Sequence, residues 1–121
     1  MKKLLILTIL FFGLNTISAQ DGNFVETNGV KLYYEVHGEG EPLVMLHGFT
    51  LSHTIWDQFV ANFSKEYQVI LVDLRGHGRS TNPTEVFTHK EFAKDIYGLM
   101  DSLQINTFKA IGFSSGGITL T

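Results

Sequence analysis

The chain contains three short, mostly apolar runs, and the apolar residues between these runs recur at helical spacing. The runs begin at Glu41, Tyr67 and Phe108, and each leads into a glycine-containing loop or turn. Short apolar runs of this kind are typical of strands buried in a parallel sheet. The order strand, helix, strand, helix, strand therefore predicts an α/β fold with right-handed crossover connections.

Two segments with helical periodicity connect these strands. The first begins after a capping residue at or near Ser52, and its predicted apolar face consists of Ile55, Trp56, Phe59, Val60 and Phe63. The second begins with a capping box formed by Thr88 and Glu91, and Phe87 and Phe92 are placed for a hydrophobic staple. Its predicted core-facing residues are Phe92, Ile96, Leu99, Met100 and Leu103.

The dipeptide Asn28-Gly29 lies between two segments of strand-forming residues, 24–27 and 30–36. Such a dipeptide predicts a two-residue β-hairpin turn. The sheet is therefore expected to begin antiparallel and to continue parallel.

Residues 1–19 have the pattern of a secretory signal peptide. Two lysines precede an apolar stretch over residues 4–14, and small polar residues lead to Ala19. A membrane anchor is the alternative, but a bilayer span takes ~20 apolar residues. We therefore expect cleavage near Ala19, with Gln20 as the new first residue, and an exported protein, periplasmic or secreted, without a stable membrane anchor. The chain has no cysteine, which is compatible with a bacterial periplasm or medium.

The charge balance argues against nucleic acid as a partner. Loss of the two leader lysines would move it from 9 − 12 = −3 to 7 − 12 = −5, so the mature chain offers no basic face. The histidines lack metal-ligand spacing, and His37 and His53 are interpreted as ordinary polar residues. We expect no metal, no cofactor and no nucleic acid, and the pattern leaves the oligomeric state open.

The sequence Gly112-Phe113-Ser114-Ser115-Gly116 follows the third apolar run and has the pattern G-x-S-x-G. A serine on a sharp strand-to-helix turn has strained backbone angles, so the positions two before and two after it must be small. Glycine fills both positions around Ser114, whereas Ser115 would have Phe113 at one of them. Ser114 is therefore the predicted nucleophile.

Three motifs in order resemble the α/β-hydrolase fold family, in its group of esterases, lipases, aminopeptidases and related enzymes. They are His47-Gly48-Phe49, the segment 73–80 (Asp-Leu-Arg-Gly-His-Gly-Arg-Ser) and the segment 112–117. The resemblance implies a truncated α/β-hydrolase fold, with residues 20–121 as its amino-terminal half, ending at the nucleophile elbow.

The resemblance also implies roles for single residues. Ser114 would be the nucleophile, and the backbone amides of Phe49 and Ser115 would form the oxyanion hole. His47 and Gly48 would support the oxyanion loop. The substrate would be a small molecule with a hydrolysable carbonyl, an ester, an amide or a related compound, and no cofactor would be needed.

In that family the triad acid and histidine follow the serine, and residues 115–121 contain neither. The chain is therefore expected to be an incomplete copy of a secreted serine hydrolase that is neither stably folded nor catalytic alone. Two alternatives remain open. One is a makeshift triad of Asp73, His47 and Ser114, at the ends of three adjacent strands. The other is a non-catalytic remnant or small binding domain of the same fold.

Overall fold

The predicted hairpin forms the first edge of the sheet. The structure is a computed structural model that describes residues 22–121, so the predicted signal peptide, residues 1–19, lies outside the described residues. Strands β1 (Asn23–Thr27) and β2 (Val30–His37) pair antiparallel, with Thr27 opposite Val30. At the turn, Asn28 has φ 48° and Gly29 has φ 76°. Positive φ at both central residues is the geometry that a two-residue hairpin turn requires.

Three further strands, β3 (Glu41–Leu46), β4 (Tyr67–Val72) and β5 (Lys109–Gly112), correspond to the three apolar runs. The strand order is β1-β2-β4-β3-β5, and β3 pairs parallel with both β4 and β5. Because β2 pairs antiparallel with β4, the sheet begins antiparallel and continues parallel, as predicted. The carboxyl ends of β4, β3 and β5 therefore lie side by side at one end of the sheet.

Alternate residues of the central strands build a core on each face of the sheet. On one face, Leu43, Met45, Val69 and Leu71 pack against Trp56, Val60 and Phe63 of the first helical segment. On the other face, Val44, Leu46, Ile70 and Val72 pack against helix α2 (His89–Ser102), which contributes Phe92, Ile96, Leu99 and Met100. The apolar strands are continuous runs because both of their faces are covered.

The first helical segment differs from the prediction in its first turn. A 3₁₀ turn over His53–Trp56 precedes helix α1 (Asp57–Phe63), and the Ser52 side chain accepts a hydrogen bond from the Thr54 amide. The predicted apolar face was wrong for Phe59, which is 41% exposed. Within helix α1, Val60 and Phe63 face the sheet, and Phe59 lies at the edge of that face, where its ring contacts Trp56 at 6.1 Å between centroids.

Helix α2 begins where it was predicted, although its cap is simpler. The Thr88 hydroxyl accepts from the Glu91 amide at 3.2 Å, but the Glu91 carboxylate binds Asn28 and Lys94. Of the predicted staple pair, Phe92 is buried while Phe87 is half exposed. No helix within residues 22–121 has the length and apolar character needed to cross a membrane.

Candidate active site

Ser114 occupies a strained turn between strand β5 and the short helix α3 (Ser115–Thr119). Its φ is 52° and its ψ is −118°, a conformation that residues other than glycine rarely adopt. A Cβ on Gly112 would lie 2.4 Å from the Gly116 backbone, and a Cβ on Gly116 would lie 2.4 Å from the Leu46 carbonyl oxygen. Only glycine fits at these two positions. Ser114, and not Ser115, is therefore the residue on the turn.

The two predicted oxyanion residues follow neighbouring strands. Phe49 lies in the loop after β3, and Ser115 is the first residue of α3, where helical N–H groups lack intrahelical acceptors. The Phe113 amide donates to the Leu46 carbonyl at 2.9 Å, which ties the elbow to the end of β3. A Cβ on Gly48 would lie 3.3 Å from the Phe113 ring, so the glycine allows a close approach of the two loops.

His47 is fully buried and both of its ring nitrogens are engaged. Its Nε2 accepts from the Leu74 amide at 2.9 Å, so its Nδ1 carries the hydrogen and donates to the Gly48 carbonyl at 2.7 Å. Burial lowers the pKa of His47, and the nearby His77 lowers it further, which keeps the imidazole neutral. His47 therefore fixes the loop that carries Gly48.

The makeshift triad is not formed. In a triad the acid orients the histidine and the histidine accepts the serine proton. Here the Asp73 carboxylate binds the amide and the ring Nδ1 of His53, and both His47 nitrogens bind other groups. His47 therefore has no free nitrogen to take a proton from Ser114.

The interpretation of His53 as an ordinary polar residue was wrong. The side chain is buried, with Nδ1 2.8 Å from Asp73 Oδ1 and Nε2 3.1 Å from Glu35 Oε1. His37 also contacts Glu35, at 2.8 Å, and it is more exposed. The available sequence signal is the alternation in β2, which puts Tyr33, Glu35 and His37 on the same face. That signal shows polar groups on one face, but not their partners.

A second buried network joins the loop after β4 to helix α2. Arg75 and Asp95 are both 1% exposed, and Arg75 Nε and Nη2 donate to the two Asp95 oxygens at 2.6 and 2.7 Å. These hydrogen bonds raise the pKa of the Arg75 guanidinium above its usual value. The sequence analysis missed this pair because Asp95 lies on the apolar face of an amphipathic helix, where a charge has no local partner.

Three aromatic side chains stand exposed around the elbow. Phe49, Phe87 and Phe113 are 56%, 47% and 54% exposed, and the first two rings lie 6.2 Å apart between centroids. The Phe49 ring also packs on the buried His77, at 5.1 Å. This surface could contact the apolar part of a small molecule bound next to Ser114.

No cluster of three or more His, Asp or Glu side chains within residues 22–121 is arranged to hold a metal ion. Ser114 itself is exposed at the turn between β5 and α3.

Comparisons with known proteins agree on one family. Residues 41–121 match the family described as alpha/beta hydrolase fold. The chain is 35% identical over 99 residues to a non-heme chloroperoxidase of Streptomyces lividans, and this alignment covers 79% of this chain and 36% of that protein. It is 32% identical over 107 residues to 3-oxoadipate enol-lactonase 2 of Acinetobacter baylyi, with 87% and 37% covered.

A solved structure gives the same picture. The enol-lactonase from Burkholderia xenovorans LB400 aligns with a TM-score of 0.77 and 33% identity, over 80% of this chain and 39% of that one. The chain spans about a third of the length of the curated relatives it matches. The mixed sheet and the strained turn after β5 define an α/β protein with a strand-turn-helix elbow. The match over residues 41–121 identifies the family. The chain belongs to the α/β-hydrolase family, as its three motifs predicted.

Proposed function

We propose that this chain belongs to a serine hydrolase that acts by acyl transfer, with Ser114 as the nucleophile. The observation that carries the proposal is the backbone of Ser114, with φ 52° and ψ −118° between two glycines that admit no Cβ. Strain of this kind is maintained where a side chain must be presented outward for chemistry. The turn leaves Ser114 exposed at the carboxyl end of the parallel strands, where ligands bind in open α/β sheets.

The amides of Phe49 and Ser115 are proposed as the oxyanion hole. Phe49 lies in the loop after β3 and Ser115 at the start of α3, at the same end of the sheet, and neither amide bonds a backbone acceptor within the described residues. Preorganised donors stabilise the charge that develops on a carbonyl oxygen, and each is typically worth about 3 kcal/mol of barrier. The His47 hydrogen bond to the Gly48 carbonyl holds one of these loops in place.

The proposed reaction needs a base that residues 22–121 do not present to Ser114. Among the hydrogen bonds of these residues, none involves the Ser114 hydroxyl. We therefore propose that a histidine and an acid from another part of the full-length protein complete the site. The proposed substrate is a small ester, lactone or related carbonyl compound, a class that includes the substrates implied by the names of its enol-lactonase relatives.

Export is the second part of the proposal. Its support is the sequence of residues 1–19, with two lysines before an apolar stretch. The hydrolase would then act in the periplasm or the medium. The mature chain would begin near Gln20, just before the first described strand.

The test of the nucleophile is covalent labelling of the full-length protein, as its gene encodes it, with a fluorophosphonate probe. We expect the probe to modify Ser114, and Ser114→Ala to abolish both labelling and hydrolysis of p-nitrophenyl acetate. Removal of a triad serine typically lowers turnover by a factor of ~10⁶. Ser115→Ala is the matched control, because it replaces the neighbouring hydroxyl and keeps the backbone amide.

Two results would contradict the proposal. Labelling that survives Ser114→Ala and disappears in Ser115→Ala would place the nucleophile at Ser115 instead of Ser114. A folded full-length protein that neither reacts with the probe nor hydrolyses the ester would favour the non-catalytic binding domain.

A further inference from the structure

Two exposed phenylalanine rings meet near the elbow in a defined arrangement. Phe49 and Phe87 are 56% and 47% exposed, and their rings lie 6.2 Å apart between centroids at an angle of 88°. Both rings also pack edge to face on His77, at 5.1 and 6.1 Å, and His77 is only 7% exposed. The inner side of the pair therefore rests on a buried ring, while about half of each phenylalanine stays open to solvent.

The backbone on both sides of Phe87 is held by hydrogen bonds. Before it, the Val86 carbonyl accepts from the side chain of Asn82 at 3.0 Å. After it, Thr88 caps helix α2. The Phe87 ring lies over Gly76, which has φ 70° and where a Cβ would lie 2.5 Å from the ring. The fold therefore fixes the position of Phe87 although half of the side chain is exposed.

Phe49 is fixed in a comparable way, at the tip of a tight turn. The Leu51 amide donates to the Gly48 carbonyl at 3.2 Å, which closes the turn around Phe49 and Thr50. Thr50 has φ 67°, and a positive φ at the second central residue is the geometry of one common class of β-turn. The His47 ring donates to the same Gly48 carbonyl, so the turn is also held from the interior.

The segments that carry the two rings both reach the elbow. Next to Phe49, a Cβ on Gly48 would lie 3.3 Å from the ring of Phe113, the residue immediately before Ser114. Two residues after Phe87, the side chain of the first residue of α2 hydrogen-bonds to a hydroxyl of α3, the helix that begins directly after the elbow. The pair of rings therefore belongs to the surface around Ser114.

The shape of the pair favours a flat apolar partner. Aromatic rings prefer offset-stacked or edge-to-face contacts, and two rings at nearly a right angle offer both kinds of contact to a third ring. Because Phe49 and Phe87 are already held by the fold, a ligand that covers them removes apolar surface from water without a further cost of ordering these side chains. A short or puckered apolar group can bury some of the same surface, but it makes neither aromatic contact.

We propose that Phe87, together with the ring of Phe49, determines the acyl specificity of the site and selects esters whose acyl group carries an aromatic ring. The inference rests on the proposed function, which places the acyl carbonyl at Ser114 and its oxygen at the amides of Phe49 and Ser115. The acyl substituent then begins beside the Phe49 ring and extends toward Phe87. The contact is non-covalent and adds no step to the reaction.

The first experiment compares p-nitrophenyl phenylacetate with p-nitrophenyl cyclohexylacetate as substrates of the full-length protein. The two acyl groups are similar in size, but only the phenyl ring is flat. Each kcat/KM is divided by the rate constant for alkaline hydrolysis of the same ester, so that intrinsic reactivity cancels. Phe87→Leu keeps an apolar side chain and loses the ring. We expect it to lower the preference for the phenylacetate by about three- to tenfold, the usual weight of an aromatic pair. An unchanged preference would overturn the inference.

Phe24→Leu is the matched control. Phe24 is 48% exposed and also packs edge to face on a buried ring, that of Tyr33, at 5.4 Å. It lies in β1, at the edge of the sheet opposite β5. We expect this variant to keep the wild-type preference between the two esters. A loss of preference in Phe24→Leu as large as that in Phe87→Leu would show that the effect does not come from the rings at the elbow, and the inference would be refuted.

A binding measurement separates this inference from the proposed function. The full-length Ser114→Ala variant cannot form an acyl-enzyme, so methyl phenylacetate can be titrated into it without turnover while the phenylalanine ring signals are followed by NMR. We expect the signals of Phe49 and Phe87 to shift and those of Phe24 to stay. Adding Phe87→Leu should raise the dissociation constant by about three- to tenfold.

The outcomes of this titration are distinct. If the two rings do not respond, the inference is wrong even where labelling confirms Ser114 as the nucleophile, and another part of the full-length protein then covers them. If the rings respond and the wild type hydrolyses no ester, the aromatic site stands as a binding site and the proposed function is refuted.

Discussion

Removal of the Asp95 charge should destabilise the protein severely. In Asp95→Asn, the guanidinium of Arg75 stays buried and loses its close counter-charge, so that only the more exposed Glu91 carboxylate remains, at 3.7 Å. The new amide can accept only one of the two short hydrogen bonds. Breaking a buried ion pair by removal of one partner typically costs about 3–5 kcal/mol. Domains are usually stable by about 5–15 kcal/mol, so this single change could consume a large part of the total.

The magnitude is checked by equilibrium urea unfolding of the full-length protein, with the m-value compared between variants. The double variant Arg75→Met, Asp95→Leu removes both charges and should recover more than half of the loss, since no unpaired charge remains. Recovery will be incomplete because Arg75 also donates to the carbonyls of Asn28 and Val86, at 3.3 and 3.4 Å.

Glu91→Gln is the matched control for this prediction. Glu91 also lies in α2, 3.7 Å from Arg75, but it is more exposed and its charge is screened by water, so its loss should change stability little. The reasoning would be refuted if Asp95→Asn cost less than ~1 kcal/mol, or if the double variant were as unstable as the sum of the two single variants.

Two further predictions address the elbow and the leader. Gly116→Ala should lower the free energy of unfolding by about 1–3 kcal/mol, the usual cost of overpacking, because its Cβ would lie 2.4 Å from the Leu46 oxygen. Gly117→Ala, whose nearest contact is 3.2 Å, should cost clearly less, and equal losses in urea titrations would contradict the steric argument. Mass analysis of the exported protein should find an amino terminus near Gln20; recovery of intact Met1 in soluble cytoplasmic protein would overturn the prediction of a leader.

The sequence was informative where the physical cause is local. The turn at Asn28-Gly29, the glycines that surround Ser114 and the continuous apolar strands each follow from conformational or burial preferences of a few neighbouring residues. Motif order then identified the family. The prediction for Phe59 failed because helical spacing places it at the edge of the apolar face, and the packing of the helix on the sheet decides which edge residues are covered.

The buried polar networks could not be predicted from the amino-acid sequence. Asp73 and His53 are twenty residues apart, as are Arg75 and Asp95, and each pair meets only after the sheet has formed. A single buried charge is costly, so its partner must exist. The sequence offers several candidates for that partner, and only the packing of the helical segments and the loop after β4 against the sheet selects one.

The position of β3 has a consequence for how the protein is made. It is a central strand, yet both of its neighbours, β4 and β5, come later in the chain. On the ribosome, Val44, Met45 and Leu46, which are fully buried in the fold, therefore emerge with neither edge of their strand paired. The loop after β3 cannot be anchored until Asp73 and Leu74 have been synthesised. Chaperones bind unpaired apolar strands, and such strands also aggregate. The nascent chain therefore depends most on chaperones while β3 has been synthesised and β4 has not.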